Sequence, residues 1–291
     1  MENFYDIVVN TAHFKKIELD EITIVEYICP IQVPLLPVWT PHDYVVHVLS
    51  GKKTWKTSLG STTLQKCDTA YIKKGGHIVE QDFTENFCLL VFFLKDEFKS
   101  MLSVEVLYDV INKQNFPSDN ILYKLSNNPS IIGYFESVFS YFQMLPTPSE
   151  HILRLKFQEL VHVLASEKYN HDAIGQIISS NHHTLTNLKK IMIENYIYNL
   201  SLDDFAKLCN RSLSSFKRDF KQCFHTSPGK WLTETRIKQA SSLLANTNNP
   251  ITQVAFECGF ENLSHFSKLF KLKMNITPKE YRKKFNLNQT E

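Results

Sequence analysis

Residues 251–285, ITQVAFECGFENLSHFSKLFKLKMNITPKEYRKKF, decide the fold of the C-terminal third of the chain. The stretch opens with the apolar spacing of a short helix, turns at Cys258-Gly259, and resumes with Leu263, Phe266, Leu269 and Phe270 on one side. Glycine tolerates the left-handed backbone conformation that such a tight corner requires. The pattern predicts two amphipathic helices around a turn, followed by a helix that begins at Pro278.

The same pattern occurs about fifty residues earlier, so the stretch is the second copy of a repeat. Ala206 and Cys209 match Ala255 and Cys258 with an offset of 49 residues. An offset of 50 then relates four further positions, Phe216, Phe220, Pro228 and Trp231, to Phe266, Phe270, Pro278 and Tyr281. Asn210 stands at the corner in place of glycine and also tolerates the left-handed region. The sequence thus predicts two helix-turn-helix units, at 202–224 and 251–274.

The segment between the units, PGKWLTETRIKQASSLLAN at 228–246, is predicted to be one amphipathic linker helix of 19 residues. Its length is about 28 Å at a rise of ~1.5 Å per residue. With side-chain offsets, the second helices of the two units then lie about one turn of B-DNA apart, which is ~34 Å.

The outward face of each second helix carries small hydroxyls and cations. The first unit presents Ser214, Lys217, Arg218 and Lys221, with no acid on that face, and the second presents Ser264, Ser267, Lys268 and Lys271, with His265 at the margin. Hydroxyls can approach base edges closely, and Arg and Lys donate to guanine or to phosphates. These faces predict double-stranded DNA as a partner, and the alternative for any one of the residues is an ordinary solvated surface.

The charge of the chain is divided unevenly. Residues 1–183 contain 15 basic and 21 acidic side chains, a net charge of −6, whereas residues 184–291 contain 17 and 9, a net charge of +8. A basic C-terminal third favours a polyanion, because neutralising phosphates releases condensed counterions. An acidic protein partner is the alternative, although it would not demand two matched basic faces.

The N-terminal part has a different pattern. Short runs rich in β-branched and aromatic residues follow one another from 22 to 94, which indicates a small antiparallel barrel or a double-sheet jelly roll. Helical spacing replaces them over 97–167. The polar segment 170–183 has no firm period and is predicted to be a linker. The predicted fold class is α+β, with an N-terminal cupin-like antiparallel β-barrel and following helices in 1–169, and a C-terminal all-α tandem helix-turn-helix domain in 184–286.

The helices after the strands carry an apolar stripe on 130–167. It consists of Phe135, Phe139, Leu153, Phe157, Leu160 and Leu164. Two interpretations remain open at this point: a homodimer surface, or the core of the N-terminal domain itself.

Residues 184–285 resemble the AraC/XylS family of bacterial transcription regulators. Its signature corresponds to the Val-Ala, Gly-Phe, Phe-x-x-x-Phe and Thr-Pro-x-x-Tyr-Arg groups of 251–285, while RIKQASSLLANT resembles its linker helix and LDDFAKLCNRSLSSFKRDFKQCFHTSPGKWL its first helix-turn-helix. The resemblance implies that the base-facing residues are Ser214, Lys217 and Arg218, then Leu263, Ser264, His265, Ser267 and Lys268. Leu263 suits either a thymine methyl group or simple packing. Asn275-Ile276 departs from the family's usual glycine-containing pair.

The N-terminal half resembles the cupin-type sensor and dimerisation domains that such regulators carry, through VLSGKKTW at 48–55 and AYIKKGGHIV at 70–79. Through the whole of 48–98 it resembles, within the family, the activators of type III secretion genes. That resemblance implies an activator that binds promoter DNA, acts on RNA polymerase and forms a homodimer. It also implies control by a regulatory protein at the N-terminal domain in place of a sugar or aromatic effector, and a small-molecule effector is the alternative. A repressor of the same family is the alternative.

A cupin metalloenzyme fused to a DNA-binding domain is the remaining alternative, and its ligands would be His42, His47, His77 and Glu80. His42 and His47 are five residues apart, which predicts opposite faces of a strand and not one metal site. The six cysteines show no Cys-x-x-Cys pair, and no catalytic motif occurs, so we expect no enzyme, no metal and no cofactor. The longest apolar run, CLLVFFL at 88–94, is too short for a bilayer span, so we expect a cytoplasmic protein without a membrane segment.

Overall fold

The computed structural model describes residues 1–28, 33–83, 86–95, 97–98, 120–145, 147–179 and 185–285. The chain divides into two compact units, one formed by Glu2–His182 and the other by His183–Glu291 together with Met1. Among the described residues, no helix is long and apolar enough to cross a membrane.

Two sheets form the body of the N-terminal unit, and all strand pairs are antiparallel except the parallel pair β1 and β4. The first sheet has the order β1-β4-β9-β6-β7 and the second the order β11-β8-β5-β10-β3-β2. A helix, α1 (Phe4–Asn10), follows the first strand. The strands are β1 (Glu2–Asn3), β2 (Lys15–Glu18), β3 (Ile22–Ile28), β4 (Leu35–Thr40), β5 (Asp43–Ser50), β6 (Lys52–Thr57), β7 (Gly60–Gln65), β8 (Thr69–Ile72), β9 (Gly75–Gln81), β10 (Cys88–Leu94) and β11 (Leu122–Lys124).

Strand β10 explains why the sequence there is apolar at successive positions. Leu89, Val91 and Phe93 belong to the core between the two sheets. The alternate residues, Leu90, Phe92 and Leu94, belong to a second core on the other face of the same sheet. Because side chains alternate along a strand, a strand buried on both faces needs a continuous apolar run.

Three helices cover that outer face and correct the dimer interpretation. They are α2 (Pro129–Tyr141), α3 (Glu150–Ala165) and α4 (His171–Ser179). The predicted dimer stripe lies inward, since Phe135, Leu153, Phe157, Leu160 and Leu164 are at most 5% exposed and Phe139 packs against the same core. The stripe is therefore the core of the N-terminal unit, because the second face of the sheet would otherwise lie open to water.

The predicted linker is also corrected, since most of it is helix α4. Ala173, Ile174 and Ile177 are at most 2% exposed and join the core beneath the helices. Asn170 is buried before the helix, where its side-chain oxygen accepts from the Ser126 amide at 2.8 Å and its Nδ2 donates to the Leu164 carbonyl at 3.0 Å. The polar residues around this short apolar face concealed the helical period. The helix predicted from 97 lies, beyond residues 97–98, outside the described residues.

Seven helices are described in the C-terminal unit. Their bounds are α5 (Leu185–Asn195), α6 (Leu202–Leu208), α7 (Leu213–Phe224), α8 (Pro228–Asn246), α9 (Ile251–Glu257), α10 (Leu263–Met274) and α11 (Pro278–Phe285). Helices α6 and α7 form the first helix-turn-helix unit, α9 and α10 form the second, and α8 is the linker helix. The architecture of strands followed by helices confirms the predicted α+β class.

Candidate nucleic-acid interface

The two corners have the same backbone geometry. Asn210 and Gly259 are left-handed, with φ of 52° and 82°. In the first corner the amides of Asn210 and Arg211 donate to the carbonyls of Lys207 and Ala206, both at 2.9 Å. The second corner repeats both bonds, from Gly259 to Phe256 at 2.9 Å and from Phe260 to Ala255 at 3.0 Å. Each corner is therefore a Schellman motif, which ends one helix and turns the chain into the next.

The second helices, α7 and α10, begin and pack at matched positions. Ser212 caps α7 by accepting from the Ser215 amide at 3.3 Å, and Asn262 caps α10 by accepting from the amides of Ser264 and His265 at 2.8 and 3.1 Å. Four phenylalanines face inward without exposure: Phe216, Phe220, Phe266 and Phe270. The aromatic residue eleven positions on, in the following helix, also corresponds, since Trp231 packs on Phe220 with ring centroids 5.9 Å apart and Tyr281 packs on Phe270 at 5.4 Å.

The outward faces carry the polar residues that the sequence predicts there. Of the predicted DNA-binding residues, nine are exposed and Ser267 is half-buried; they are Ser214, Lys217, Arg218 and Lys221 on α7, and Leu263, Ser264, His265, Lys268 and Lys271 on α10. Lys217, Lys221 and Lys268 have no ion-pair partner within the part of the chain that the structure describes. Each helix thus presents hydroxyls near its N-terminus and available cations farther along.

One acid, Asp219, borders the cationic face of α7, although the sequence predicts no acid on that face. Asp219 accepts from Arg211 Nε at 2.9 Å and from Arg218 Nε at 3.2 Å. Arg211, at the corner, also donates through Nη1 to the Cys209 carbonyl at 3.0 Å. The hydrogen bond from Arg211, and to a smaller extent the one from Arg218, holds the pKa of Asp219 below its usual range. Arg218 remains 76% exposed and can leave this pair for another acceptor.

Two leucines, Leu263 and Leu272, are exposed on the outer face of α10. Leu263 was placed on the inward side by the repeat and among the base-facing residues by the family resemblance; it is 36% exposed at the start of the helix, which agrees with the second placement. Phe260 and Phe266 pack against each other in the core of this unit, with ring centroids 5.1 Å apart, and Leu263 is not part of that core. Leu272 is 71% exposed, one turn beyond Lys268, and was not singled out from the sequence. The outer face of α10 is therefore more apolar than that of α7.

The residues of the alternative metal site do not converge. His47 donates to or accepts from Thr69 Oγ1 at 2.8 Å and stacks on Phe135, whereas His77 Nε2 lies 2.7 Å from the Tyr44 hydroxyl. Burial lowers the pKa of both imidazoles to about 4, which keeps them neutral. Glu80 forms a surface ion pair with Lys56 at 3.0 Å, and His42 packs against Tyr5. Within the described ranges, no group of three metal-ligating side chains is present.

Sequence reasoning missed Arg236, on the inner side of α8. Its guanidinium donates through Nε to the Tyr196 carbonyl at 2.7 Å and through Nη2 to the Tyr198 carbonyl at 2.8 Å. The signal in the sequence is weak: an arginine stands one residue before the apolar Ile237 in this helix. Arginine is suited to such a place, because its planar fork can hold two acceptors at once.

The chain matches two families of domains. Residues 43–176 match the ExsA N-terminal regulatory domain, and residues 205–284 match a helix-turn-helix domain. The virulence regulon transcriptional activator VirF of Yersinia enterocolitica is 24% identical over 82% of this chain and 89% of its own. The HTH-type transcriptional regulator ExsA of Pseudomonas aeruginosa is 27% identical over 44% of this chain and 46% of its own. Among solved structures, ToxT from Vibrio cholerae is 16% identical with a TM-score of 0.43, covering 91% of this chain and 99% of that one.

Proposed function

Because the chain belongs to the AraC/XylS family of DNA-binding transcriptional regulators, we propose that it binds promoter DNA by placing α7 and α10 in two successive segments of the major groove. The observation that carries the proposal is the duplication of one geometry: two Schellman corners at matched positions, each followed by a helix with an outward cationic face. A single basic helix would suit many anionic partners. Two matched helices joined by a 19-residue helix suit the repeat of B-DNA.

The outward side chains divide into two roles in this proposal. Lys217, Arg218 and Lys268 reach base edges together with the hydroxyls and His265 near the helix starts, and Leu263 lies against a thymine methyl group. Lys221 and Lys271, one turn farther along, bind phosphates. Base contacts determine which sequence is bound, whereas phosphate contacts hold the helices on any duplex.

The first experiment measures binding to duplex DNA between about 50 and 200 mM salt, where each phosphate contact contributes a log–log slope of about 0.9. Replacing Lys221 and Lys271 together with alanine should weaken binding and reduce the slope by about 2. Lys207→Ala is the matched control, since it removes an exposed cation of α6 that already pairs with Asp203 at 3.0 Å. A response to salt that is flat in the wild-type protein would rule out the DNA proposal.

We further propose that the bound protein activates transcription through RNA polymerase in the bacterial cytoplasm. The support is that VirF of Yersinia enterocolitica is described as a transcriptional activator and shares most of its length with this chain. Transcription in vitro from a promoter fragment that the wild-type protein selects should rise when the protein is added. A fall would identify the repressor instead.

The N-terminal unit is proposed to regulate this activity and to form a homodimer, with a regulatory protein or a small molecule as its effector. Since the predicted stripe is core, the remaining apolar surface on and before α3 is the better dimer surface: Met144, Leu145, Ile152 and Leu155 are 48 to 96% exposed. Ile152→Glu combined with Leu155→Glu should shift the protein to a monomer in sedimentation equilibrium. His162→Glu, on an exposed position of the same helix, is the control.

A further inference from the structure

Arg236 lies at the middle of α8, between the parts of this helix that serve the two units. On its N-terminal side, Trp231 packs on Phe224 of the first unit, with ring centroids 4.9 Å apart. On its C-terminal side, Ile237, Ala240 and Leu244 belong to the core of the second unit. A change in the position of the second unit relative to the first would therefore involve the part of α8 around Arg236.

The guanidinium of Arg236 donates to the backbone of the connection that leads into the first unit. Tyr196 and Tyr198, whose carbonyls accept its two hydrogen bonds at 2.7 and 2.8 Å, lie in the connection that leads from α5 into α6. The ring of Tyr196 also packs edge-on against Trp231, with centroids 6.3 Å apart. The connection is thus fastened to α8 at two neighbouring points.

The corner of the second unit rests on the same connection. A Cβ atom added to Gly259 would lie 2.6 Å from the Ile197 carbonyl oxygen and 3.1 Å from Arg236 Nε. The backbone of the second corner therefore reaches the carbonyl that lies between the two held by Arg236. Three segments meet here: the α5–α6 connection, α8 and the corner that precedes α10.

We propose that Arg236 is a positioning residue that fixes the distance and angle between α7 and α10, and thereby the number of base pairs between the two DNA segments that they read. The inference rests on the proposed function. Successive base pairs are about 3.4 Å apart along the helix axis and about ten of them complete a turn. A shift of the second unit by a few ångströms on α8 would therefore move α10 by one base pair and rotate the edges that it meets.

The experiment is enrichment of bound duplexes from a random-sequence pool by the full-length chain. Wild-type protein should select two sequence motifs at one fixed spacing. Arg236→Lys keeps the charge but loses the fork, and Arg236→Gln loses the charge. Both should select the same two motifs at several spacings. Lys238→Ala, which removes an exposed cation two residues along α8, should keep the single spacing.

A second measurement uses the duplex that the wild-type protein selects, with and without one base pair inserted between the motifs. The insertion should weaken wild-type binding about tenfold or more, as the loss of a set of base contacts does. It should weaken binding by Arg236→Lys about threefold or less on the same scale. A role in stability alone would lower the melting temperature and the affinity for both duplexes equally, without changing their ratio.

The outcomes separate this inference from the function on which it rests. If Arg236→Lys and Arg236→Gln keep one spacing and the full insertion penalty, Arg236 does not position the helices, although the proposed function stands. If the wild-type protein selects only one motif, two-helix reading and the inference both fail while DNA binding survives. If it selects none, the proposed function itself is wrong.

Discussion

The two helix-turn-helix units share one backbone geometry but brace their corners by different chemistry. In the first unit, Arg211 follows the left-handed residue and forms an ion pair with Asp219 of α7 at 2.9 Å. In the second unit the matched positions hold Phe260 and Leu269, and Phe260 is 6% exposed within the apolar core. An ion pair and a phenylalanine thus perform the same task in the two copies.

The difference shows which parts of the repeat the fold demands. The two units share the alanine and cysteine before the corner, a residue that accepts a left-handed backbone, and the inward phenylalanines. The turn and the close crossing of the helices restrict the size and conformation of the residues at these positions. The residue after the corner needs only a partner on the following helix, and either charge or apolar area can provide it. The outer faces differ further, with cations dominating α7 and leucines appearing on α10.

The largest expected effect comes from removing the phenylalanine ring that packs beside the second corner. Phe260→Ala should lower the free energy of unfolding by about 4 kcal/mol, because the lost ring leaves a cavity in the core. The matched change, Arg211→Ala, should cost about 2 kcal/mol, since it removes hydrogen bonds to a carboxylate that water can partly reach. Urea unfolding of the full chain would give both values. Phe256→Ala, at a side chain 59% exposed on α9, should stay within about 0.5 kcal/mol of the wild type.

Exchanging the corner residues tests the shared part of the comparison. Gly259→Asn should lower the free energy of unfolding by about 3 kcal/mol, because its Cβ meets the Ile197 carbonyl at 2.6 Å. Asn210→Gly should be neutral or stabilise by up to about 1 kcal/mol, since glycine removes the left-handed penalty. Thermal unfolding followed by circular dichroism would compare them. Changes of equal size and opposite sign at the two corners would show that the contact with Ile197 has no energetic weight.

How far the sequence leads is clear from these same residues. The repeat, both corners and the inward phenylalanines follow from spacing and from the few residue types that accept a left-handed backbone. The Arg211–Asp219 ion pair and the hydrogen bonds of Arg236 do not follow from the spacing, because they join residues whose proximity depends on the angle between helices. In the N-terminal unit, Pro37 argues against a strand at the position of β4, yet beyond its two-residue pairing with β1 this strand forms a sheet edge, where proline is tolerated.

The outer faces of α7 and α10, which are proposed to read DNA, supply the next test. Arg218→Ala should relax base preference at one position of the selected sequence by about 1 to 3 kcal/mol, as the loss of a bidentate contact to guanine does. Lys271→Ala should weaken binding to all sequences and reduce the salt slope by about 1. Competition between selected and random duplexes would measure the first, and a salt titration the second. If Arg218→Ala and Lys268→Ala both leave binding and preference unchanged, the assignment of the outer faces is wrong.

The smallest expected effect is the pH dependence of the stability that the Arg211–Asp219 ion pair contributes. Arg211 and Arg218 lower the pKa of Asp219 in the folded state, whereas the unfolded value is about 3.9. A depressed folded pKa gives stability that is present above the unfolded value and is lost as pH falls through the folded value. The melting temperatures of the wild type and of Asp219→Asn should therefore differ near neutral pH and converge in acid.

The second unit provides the internal control for that titration, because Leu269 replaces the acid at the matched position. Other carboxylates also titrate in acid, including Glu234, whose pKa Lys273 lowers through a 2.8 Å hydrogen bond. Only the difference between the wild type and Asp219→Asn isolates the brace. Leu269→Ala should cost stability by an amount that does not vary with pH. A gap between wild type and Asp219→Asn that stays constant down to strong acid would mean that Asp219 braces the corner by packing and not by charge.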